Sequence, residues 1–205
     1  MINFVMPSMA RKTLKRALTS LLEQTDPNWE CWVGLDGYSE GEISPELLVD
    51  DTRIHYIYIK DKLGSCEYNS GVGHNTGNAG FVRNHIISQI DNDYEWIGFI
   101  DDDDTLRPYY IEKLKEEIAY TSFDCCIFRM IAGQNIIPPV GMNQVIQSFV
   151  GISFCVKKKM LDDNDIRFIS SSSEDYSMLE SIHNAGGEIY MSEHITYNVL
   201  GSDER

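Results

Sequence analysis

The feature that most constrains this chain is a short apolar segment that ends directly in four aspartates. Residues 95–100 have the length and composition of a buried strand, and Asp101, Asp102, Asp103 and Asp104 follow without a break. Adjacent carboxylates raise each other's pKa and destabilise a fold unless a positive charge lies among them. We therefore expect the four aspartates at the carboxyl edge of a sheet, beside a cation.

The spacing of these acids predicts a metal site. In an extended segment Asp101 and Asp103 point to the same side, and Asp102 points to the other. Hard cations such as Mg²⁺ and Mn²⁺ accept carboxylate oxygens and substrate phosphates in one coordination shell. Asp101 and Asp103 are therefore the two ligand candidates, and we expect a structural role for Asp104. A solvated acidic turn is the plainer interpretation.

The chain before and after this run alternates strand and helix patterns. Short apolar runs predict strands at residues 2–6, 29–35, 53–59 and 95–100. Apolar residues at helical spacing predict helices near residues 14–22, from about 79–81 to 90, and after Pro108. Strands that alternate with helices indicate an α/β fold with a largely parallel sheet, whose ligands bind beyond the carboxyl ends of the strands.

Polar residues follow three of these strands and are expected to converge at one edge. They are Pro7-Ser8, Asp36-Gly37 and the four aspartates. Ser8 is also expected to cap the first helix. A glycine- and asparagine-rich stretch over residues 60–80 predicts a long functional loop, with His74 as a candidate contact for phosphate or acceptor.

The second half of the chain is less regular. It predicts strands at residues 123–131, 151–156 and 189–191, and a helix that follows Glu174-Asp175 and ends at Gly186-Gly187. No internal repeat or linker is visible, so we predict a single domain over residues 1–205.

Composition excludes several classes of partner. The chain has 17 Lys and Arg against 32 Asp and Glu, a formal charge of -15, which would repel a nucleic-acid backbone. No apolar stretch approaches the roughly 20 residues of a membrane span, and no signal peptide is evident. Five cysteines without metal-type spacing indicate reduced thiols. We expect a cytoplasmic protein, with peripheral membrane association left open.

A phosphatase is the first alternative. Asp101, Asp103 and Thr105 form an Asp-x-Asp-x-Thr pattern that resembles the first motif of haloacid-dehalogenase-type phosphatases. Asp101 would then be a phosphoryl nucleophile and Asp103 a general acid/base. Such enzymes also need a later strand that ends in a pair of metal-binding aspartates, and no acidic cluster after residue 105 clearly follows an apolar strand.

The whole pattern resembles a family 2 glycosyltransferase of the GT-A fold, a single Rossmann-like domain. Five segments carry the resemblance in order, from about residue 4 to residue 198: Phe4-Val5-Met6-Pro7-Ser8 with Ser20-Leu21-Leu22 and Gln24; Val33-Gly34-Leu35-Asp36-Gly37; Gly77-Asn78-Ala79-Gly80-Phe81-Val82-Arg83-Asn84; Phe99-Ile100 with the four aspartates; and Ser173-Glu174-Asp175-Tyr176. They are similar to the family's strand-Pro-Thr, Asp-Asp-Gly-Ser, Gly-x-x-x-x-Arg-Asn, Asp-x-Asp-Asp and Glu-Asp-Tyr elements.

The resemblance implies a role for each matched residue. The nucleotide-sugar would be bound by Pro7, Ser8, Asp36, Arg83, Asn84, Asp101 and Asp102. Mn²⁺ or Mg²⁺ would be held by Asp103 and Asp101. Asp175, with Glu174 beside it, would be the general base of an inverting transfer from a donor, most plausibly a UDP-sugar, to a glycan, lipid-linked or protein hydroxyl.

The resemblance also divides the chain into a nucleotide-binding half, about residues 1–105, and a sugar and acceptor half, about 106–205. Two departures stand out: Leu35 replaces the first aspartate of the second element, and the late histidine of the family is missing, which leaves room for a further domain or partner beyond Arg205. The alternatives remain an inactive nucleotide-sugar binding module and, for Ser173 and the two acids after it, a helix cap with dipole-complementing charges.

Overall fold

The computed structural model describes residues 1–64, 79–91, 93–171 and 173–201. Within these residues the strands are β1 (Ile2–Ser8), β2 (Trp29–Asp36), β3 (Ile54–Ile59), β4 (Trp96–Phe99), β5 (Thr105–Leu106), β6 (Cys125–Ala132), β7 (Asn135–Ile137), β8 (Phe154–Lys157) and β9 (Ile189–Val199). The α-helices are α1 (Leu14–Leu22), α2 (Ala79–Gln89), α3 (Tyr110–Tyr120), α4 (Lys158–Asp163) and α5 (Glu174–Asn184). Most of the predicted loop at residues 60–80, including His74, lies outside the described residues.

One nine-stranded sheet runs through both halves of the chain, in the order β3-β2-β1-β4-β8-β6-β9-β5, with β7 paired to β6. β3, β2, β1 and β4 are parallel neighbours. β8 is antiparallel to both β4 and β6, and a long parallel ladder joins β6 to β9. Most paired residues lie in parallel ladders, so the α/β architecture with a mostly parallel sheet is confirmed.

Helix α2 packs closely on the first strands because β2 carries a glycine at the contact. A Cβ on Gly34 would lie 2.8 Å from Ile86 Cδ1 and 3.0 Å from Val82 Cγ1, which is closer than side chains pack. Val82 and Ile86 are fully buried. This approach brings Arg83, the next residue after Val82, to the carboxyl edge of the sheet.

Two expectations about local structure are wrong. Ser8 does not cap a helix: β1 continues through it, α1 begins at Leu14, and Thr13 takes the N-cap position without a side-chain cap. The Ser8 hydroxyl instead donates to Asp102, a tertiary partner that local propensity does not reveal. The strand predicted at residues 189–191 extends to Val199 because β6 provides a ladder along its length.

No helix within the described residues is long and apolar enough to cross a membrane. Cys31, Cys125, Cys126 and Cys155 are buried as free thiols, and Cys66 lies outside the described residues.

Candidate active site

Three carboxylates gather where the chain leaves β4. Asp101, Asp103 and Asp104 each offer one oxygen, and these oxygens lie within 4.8 Å of one another. The segment is a turn rather than an extended strand, since the Asp104 N–H donates to the Asp101 carbonyl at 3.2 Å. The turn brings Asp104 to the side of Asp101 and Asp103, which simple alternation along a strand did not anticipate. Such closely placed carboxylate oxygens are suited to bind a hard divalent cation.

Asp102 points away from this cluster and is buried, with 3% of its surface exposed. Its carboxylate accepts hydrogen bonds from the Ser8 hydroxyl (2.7 Å), the Met9 N–H (3.2 Å) and Arg11 Nη1 (3.0 Å). Burial raises the pKa of Asp102 to about 6, although the Ser8 hydroxyl and Arg11 oppose the rise. Asp102 thus holds the β1–α1 loop against the acidic run. Its contact with the nucleotide stays a prediction.

Asp104 fastens the segment after β9 to the same run. Its Oδ1 accepts from the N–H groups of Leu200 (2.9 Å) and Gly201 (3.4 Å). Arg16 Nη2 joins the two segments, because it donates to the carbonyls of Asp103 (2.7 Å) and Gly201 (3.1 Å). Burial, followed by the neighbouring carboxylates, raises the pKa of Asp104 to about 7. The structural role expected for Asp104 is therefore combined with membership of the acidic cluster.

Arg83 connects the acidic cluster to the start of α5. It is 2% exposed, its Nη2 donates to Asp101 Oδ1 at 2.6 Å, and its Nη1 donates to Glu174 Oε1. Its guanidinium carbon lies 5.3 Å from the centre of the Phe168 ring. Burial disfavours the charged guanidinium, but the surrounding carboxylates, Asp101 first, raise the pKa of Arg83 above its ordinary value. A permanently charged group therefore bridges the two acidic regions.

The adjacent acids at the head of α5 have different environments. Glu174 is fully engaged, since Oε1 accepts from Arg83 and Oε2 accepts from the Gly80 N–H at 2.9 Å. Asp175 Oδ1 is buried, and no described residue donates a hydrogen bond to it. Burial raises the pKa of Asp175 to about 7, with Asp101 and Glu174 adding to the rise and Arg83 opposing it. A carboxylate whose buried oxygen has no donor among the described residues is suited to accept a proton.

Ser173 occupies the N-cap position of α5 but makes no side-chain cap. Its hydroxyl accepts instead from Gln147 Nε2 at 2.8 Å, which ties the segment after β7 to the helix that carries Asp175. The cap interpretation of Ser173 is therefore wrong, while Glu174 and Asp175 do lie in the first turn of the helix.

The remaining predicted residues lie around this centre. Asp36, at the end of β2, is 2% exposed and accepts from the N–H groups of Leu63 (2.7 Å) and Gly64 (3.2 Å). Pro7 is buried in β1 opposite Gly34. Asn84 exchanges two hydrogen bonds with the Phe168 backbone, at 2.8 and 3.0 Å. Asn84 therefore supports the Phe168 segment, on which Arg83 packs; whether these residues bind the nucleotide stays a prediction.

The site also contains three residues that the sequence did not indicate: Arg11, Arg16 and Tyr197. Tyr197 on β9 is fully buried, and its hydroxyl accepts from the Asp101 N–H at 3.1 Å. The two arginines had a visible signal, because four basic residues fall within positions 11–16, directly after the first predicted strand, in a chain that is otherwise strongly acidic. Tyr197 had none, since only the β6–β9 ladder brings it to the acidic run.

This sheet, with an acidic cluster, a buried arginine and a separate aspartate at its carboxyl edge, has the GT-A architecture of nucleotide-sugar transferases. The model of glycosyl transferase family 2 matches residues 4–172, and the chain belongs to this family. The family resemblance seen in the sequence is thus confirmed. No curated protein sequence matches the chain significantly.

Solved structures of S. aureus TarS share the fold. TarS 1-349 superposes with a TM-score of 0.69 at 17% identity, over 97% of this chain and 60% of that chain. Another TarS structure gives 0.71 at 17% identity, over 99% and 37%. TarS 1-349 in complex with UDP-GlcNAc gives 0.70 at 13% identity, over 100% and 59%. The chain spans 60% or less of each neighbour, and these identities show the fold alone.

Proposed function

We propose that this chain transfers a sugar from a nucleotide-diphosphate donor, a UDP-sugar, to an acceptor hydroxyl with inversion at the anomeric carbon. Family membership supports the class of reaction. The observation that carries the finer proposal is the arrangement around Arg83, which separates an acidic cluster from a carboxylate that has no hydrogen-bond donor among the described residues. An inverting transfer needs both groups, one at the leaving diphosphate and one at the acceptor.

Asp101, Asp103 and Asp104 are the residues proposed to hold Mn²⁺ or Mg²⁺, because their oxygens already lie close together. When bound, the cation neutralises charge that develops on the departing diphosphate. Asp104 joins the two ligands expected from the sequence. The phosphatase alternative has only the Asp-x-Asp-x-Thr pattern in its favour, and the family match favours transfer.

Asp175 is the proposed general base. Its pKa is raised to about 7, which makes it a stronger base than an ordinary carboxylate and leaves about half of it deprotonated near pH 7. Glu174 was expected beside it as a catalytic residue; we assign it instead to holding Arg83, because both of its oxygens already accept hydrogen bonds. Arg83 is then kept at Asp101, where it can contact the nucleotide phosphates.

The UDP donor is supported by the TarS structures, two of which are complexes with UDP-GlcNAc and UDP. The proposed nucleotide-facing residues are those that the family resemblance assigned, of which Ser8 and Asp36 lie buried at the ends of adjacent strands. A cytoplasmic location belongs to the same proposal and is supported by the buried, reduced cysteines.

A donor screen tests this function. The wild-type protein is incubated with UDP-, GDP- and dTDP-sugars, with and without Mn²⁺, and both thermal stabilisation and nucleotide release are measured. We expect UDP and one UDP-sugar to stabilise the protein only with Mn²⁺, and that UDP-sugar to release UDP. Asp103→Asn should abolish the effect of the metal. Binding of a UDP-sugar without any release in the presence of candidate acceptors would support an inactive binding module instead.

A further inference from the structure

The loop between β1 and α1 is shaped around the Asp102 carboxylate. Besides the bonds from Ser8 and Met9 to that carboxylate, the Ser8 hydroxyl accepts from the Ala10 N–H at 3.0 Å. Ala10 has a φ of 52°, in the left-handed region that a residue with a Cβ adopts at an energetic cost. These contacts hold an unfavourable backbone conformation whose effect is to turn Arg11 back over the acidic run.

Arg11 bridges the anchoring carboxylate and the acidic cluster with one nitrogen. Its Nη1 lies 3.0 Å from Asp102 Oδ1 and 3.1 Å from Asp103 Oδ2. The side chain is 27% exposed, so it remains accessible from the carboxyl edge of the sheet. Asp102 is outside the group of three metal-type carboxylates, whereas Asp103 is inside it. The protein thus places its own positive charge on a carboxylate that a divalent cation would also bind.

The same position suits a diphosphate. Oxygens that are neighbours in the shell of a small divalent cation lie about 3 Å apart, because each is about 2.1 Å from the ion. A guanidinium within 3.1 Å of an Asp103 oxygen can therefore reach a phosphate oxygen bound beside that carboxylate. Arginine is also the side chain best matched to phosphate, through several donors in one plane.

We propose that Arg11 is a counter-cation with two successive partners. It neutralises Asp103 in the metal-free protein, and it donates to the diphosphate of the donor once a divalent cation binds the acidic cluster. Asp102 is its anchor throughout. The inference rests on the proposed function and adds a positioning and donor-binding residue that the family resemblance does not assign. It requires opposite effects from one substitution, since loss of Arg11 removes a competitor of the metal and a partner of the diphosphate.

The test compares Arg11→Gln and Arg11→Lys with the wild type. Mn²⁺ alone is titrated and followed by the electron paramagnetic resonance signal of the free ion; UDP is then titrated by calorimetry at saturating Mn²⁺. We expect Arg11→Gln to bind Mn²⁺ about threefold to tenfold more tightly and UDP about tenfold more weakly. Arg11→Lys, which keeps the charge but not the fork of donors, should lie between the two proteins in both titrations.

Lys159→Gln is the matched control. It removes one positive charge from α4, where the Lys159 side chain is 81% exposed and pairs with Asp163, and it should change neither affinity. Melting temperatures check that each variant is folded. If Arg11→Gln is not folded, the two affinities of Arg11→Lys are compared with those of the wild type instead.

Four results would overturn the proposal. Equal Mn²⁺ affinities of wild type and Arg11→Gln would exclude competition with the metal, and weaker Mn²⁺ binding would show that Arg11 orients Asp103 instead. An unchanged UDP affinity would exclude contact with the diphosphate. If the wild type releases UDP from a UDP-sugar but binds no Mn²⁺, the metal site and this inference both fail while sugar transfer stands; without UDP release, the proposed function itself fails.

Discussion

The acidic cluster after β4 and the first turn of α5 are both rich in carboxylates, but they differ in the hydrogen-bond donors that surround them. Arg11, Arg16 and Arg83 and several backbone N–H groups all contact the acidic run. At the head of α5, Glu174 accepts hydrogen bonds from Arg83 and from the Gly80 N–H, whereas none of the described residues donates to Asp175 Oδ1. The position of an acid in a cluster therefore does not decide its chemistry. The hydrogen-bond donors around each carboxylate decide whether it is suited to bind a cation or to accept a proton.

Replacing Asp175 provides the strongest test of this contrast. Asp175→Asn should lower UDP-sugar turnover by about 10²- to 10⁴-fold, because general bases contribute about that much, while Mn²⁺-dependent UDP binding persists. Stability should be unchanged or higher, since burial already disfavours the charged carboxylate. Glu180→Gln, an exposed acid on the same helix, is the control and should keep full activity. Normal turnover in Asp175→Asn would show that Asp175 is not the general base.

Replacing Glu174 should have a smaller and different effect. Glu174→Gln can still accept from the Gly80 N–H but loses its charge opposite Arg83. One charged hydrogen bond is worth about 1.5–3 kcal/mol, or about 10- to 150-fold. We expect weaker UDP binding together with reduced turnover, measured by calorimetry and UDP release. A loss of turnover as large as that of Asp175→Asn, with UDP affinity intact, would show that Glu174 is a catalytic residue.

The pH dependence of turnover sharpens the same comparison. A base must be deprotonated, and the pKa of Asp175 is raised from 3.8 to about 7, so kcat/KM should fall as the pH drops below an apparent pKa between these values. A bound divalent cation lowers this apparent pKa, because its charge favours the nearby carboxylate. The pH profile at saturating Mn²⁺ measures it, and a profile flat down to pH values near 3.8 would contradict a raised pKa.

A partly exposed carboxylate outside the site gives the smallest expected effect. Arg53 lowers the pKa of Asp51 to about 2, and both side chains are partly exposed at the start of β3. The lowered pKa stabilises the fold above the ordinary pKa of about 4 for aspartate, and this contribution is lost as the pH falls toward 2. Asp51→Asn should cost about 0.5–1 kcal/mol at neutral pH in urea denaturation, after screening by solvent. The cost should vanish in acid; if it does not, it reflects packing.

Much of the first half of the fold was accessible from the sequence, and less of the second. The strands that became β1 to β4 were found because parallel strands buried on both faces are continuously apolar. The end of β9 was missed because its polar residues are strand-forming only beside β6. Among site residues, Arg83 and Asp175 were found by family spacing, whereas Arg11 and Tyr197 depend on loop and ladder geometry.

The four aspartates illustrate the same division. The sequence by itself determined that they end a buried strand and that they need positive charge, because these follow from composition and local pattern. The family resemblance in the sequence implied that an arginine and a later Glu-Asp pair belong with them. Only the tertiary structure decided which carboxylate does what. Asp102 turns to Ser8 and Arg11, while Asp104 joins Asp101 and Asp103. Roles within a run of identical side chains depend on which donors distant segments bring to each oxygen, and that is a property of the folded chain.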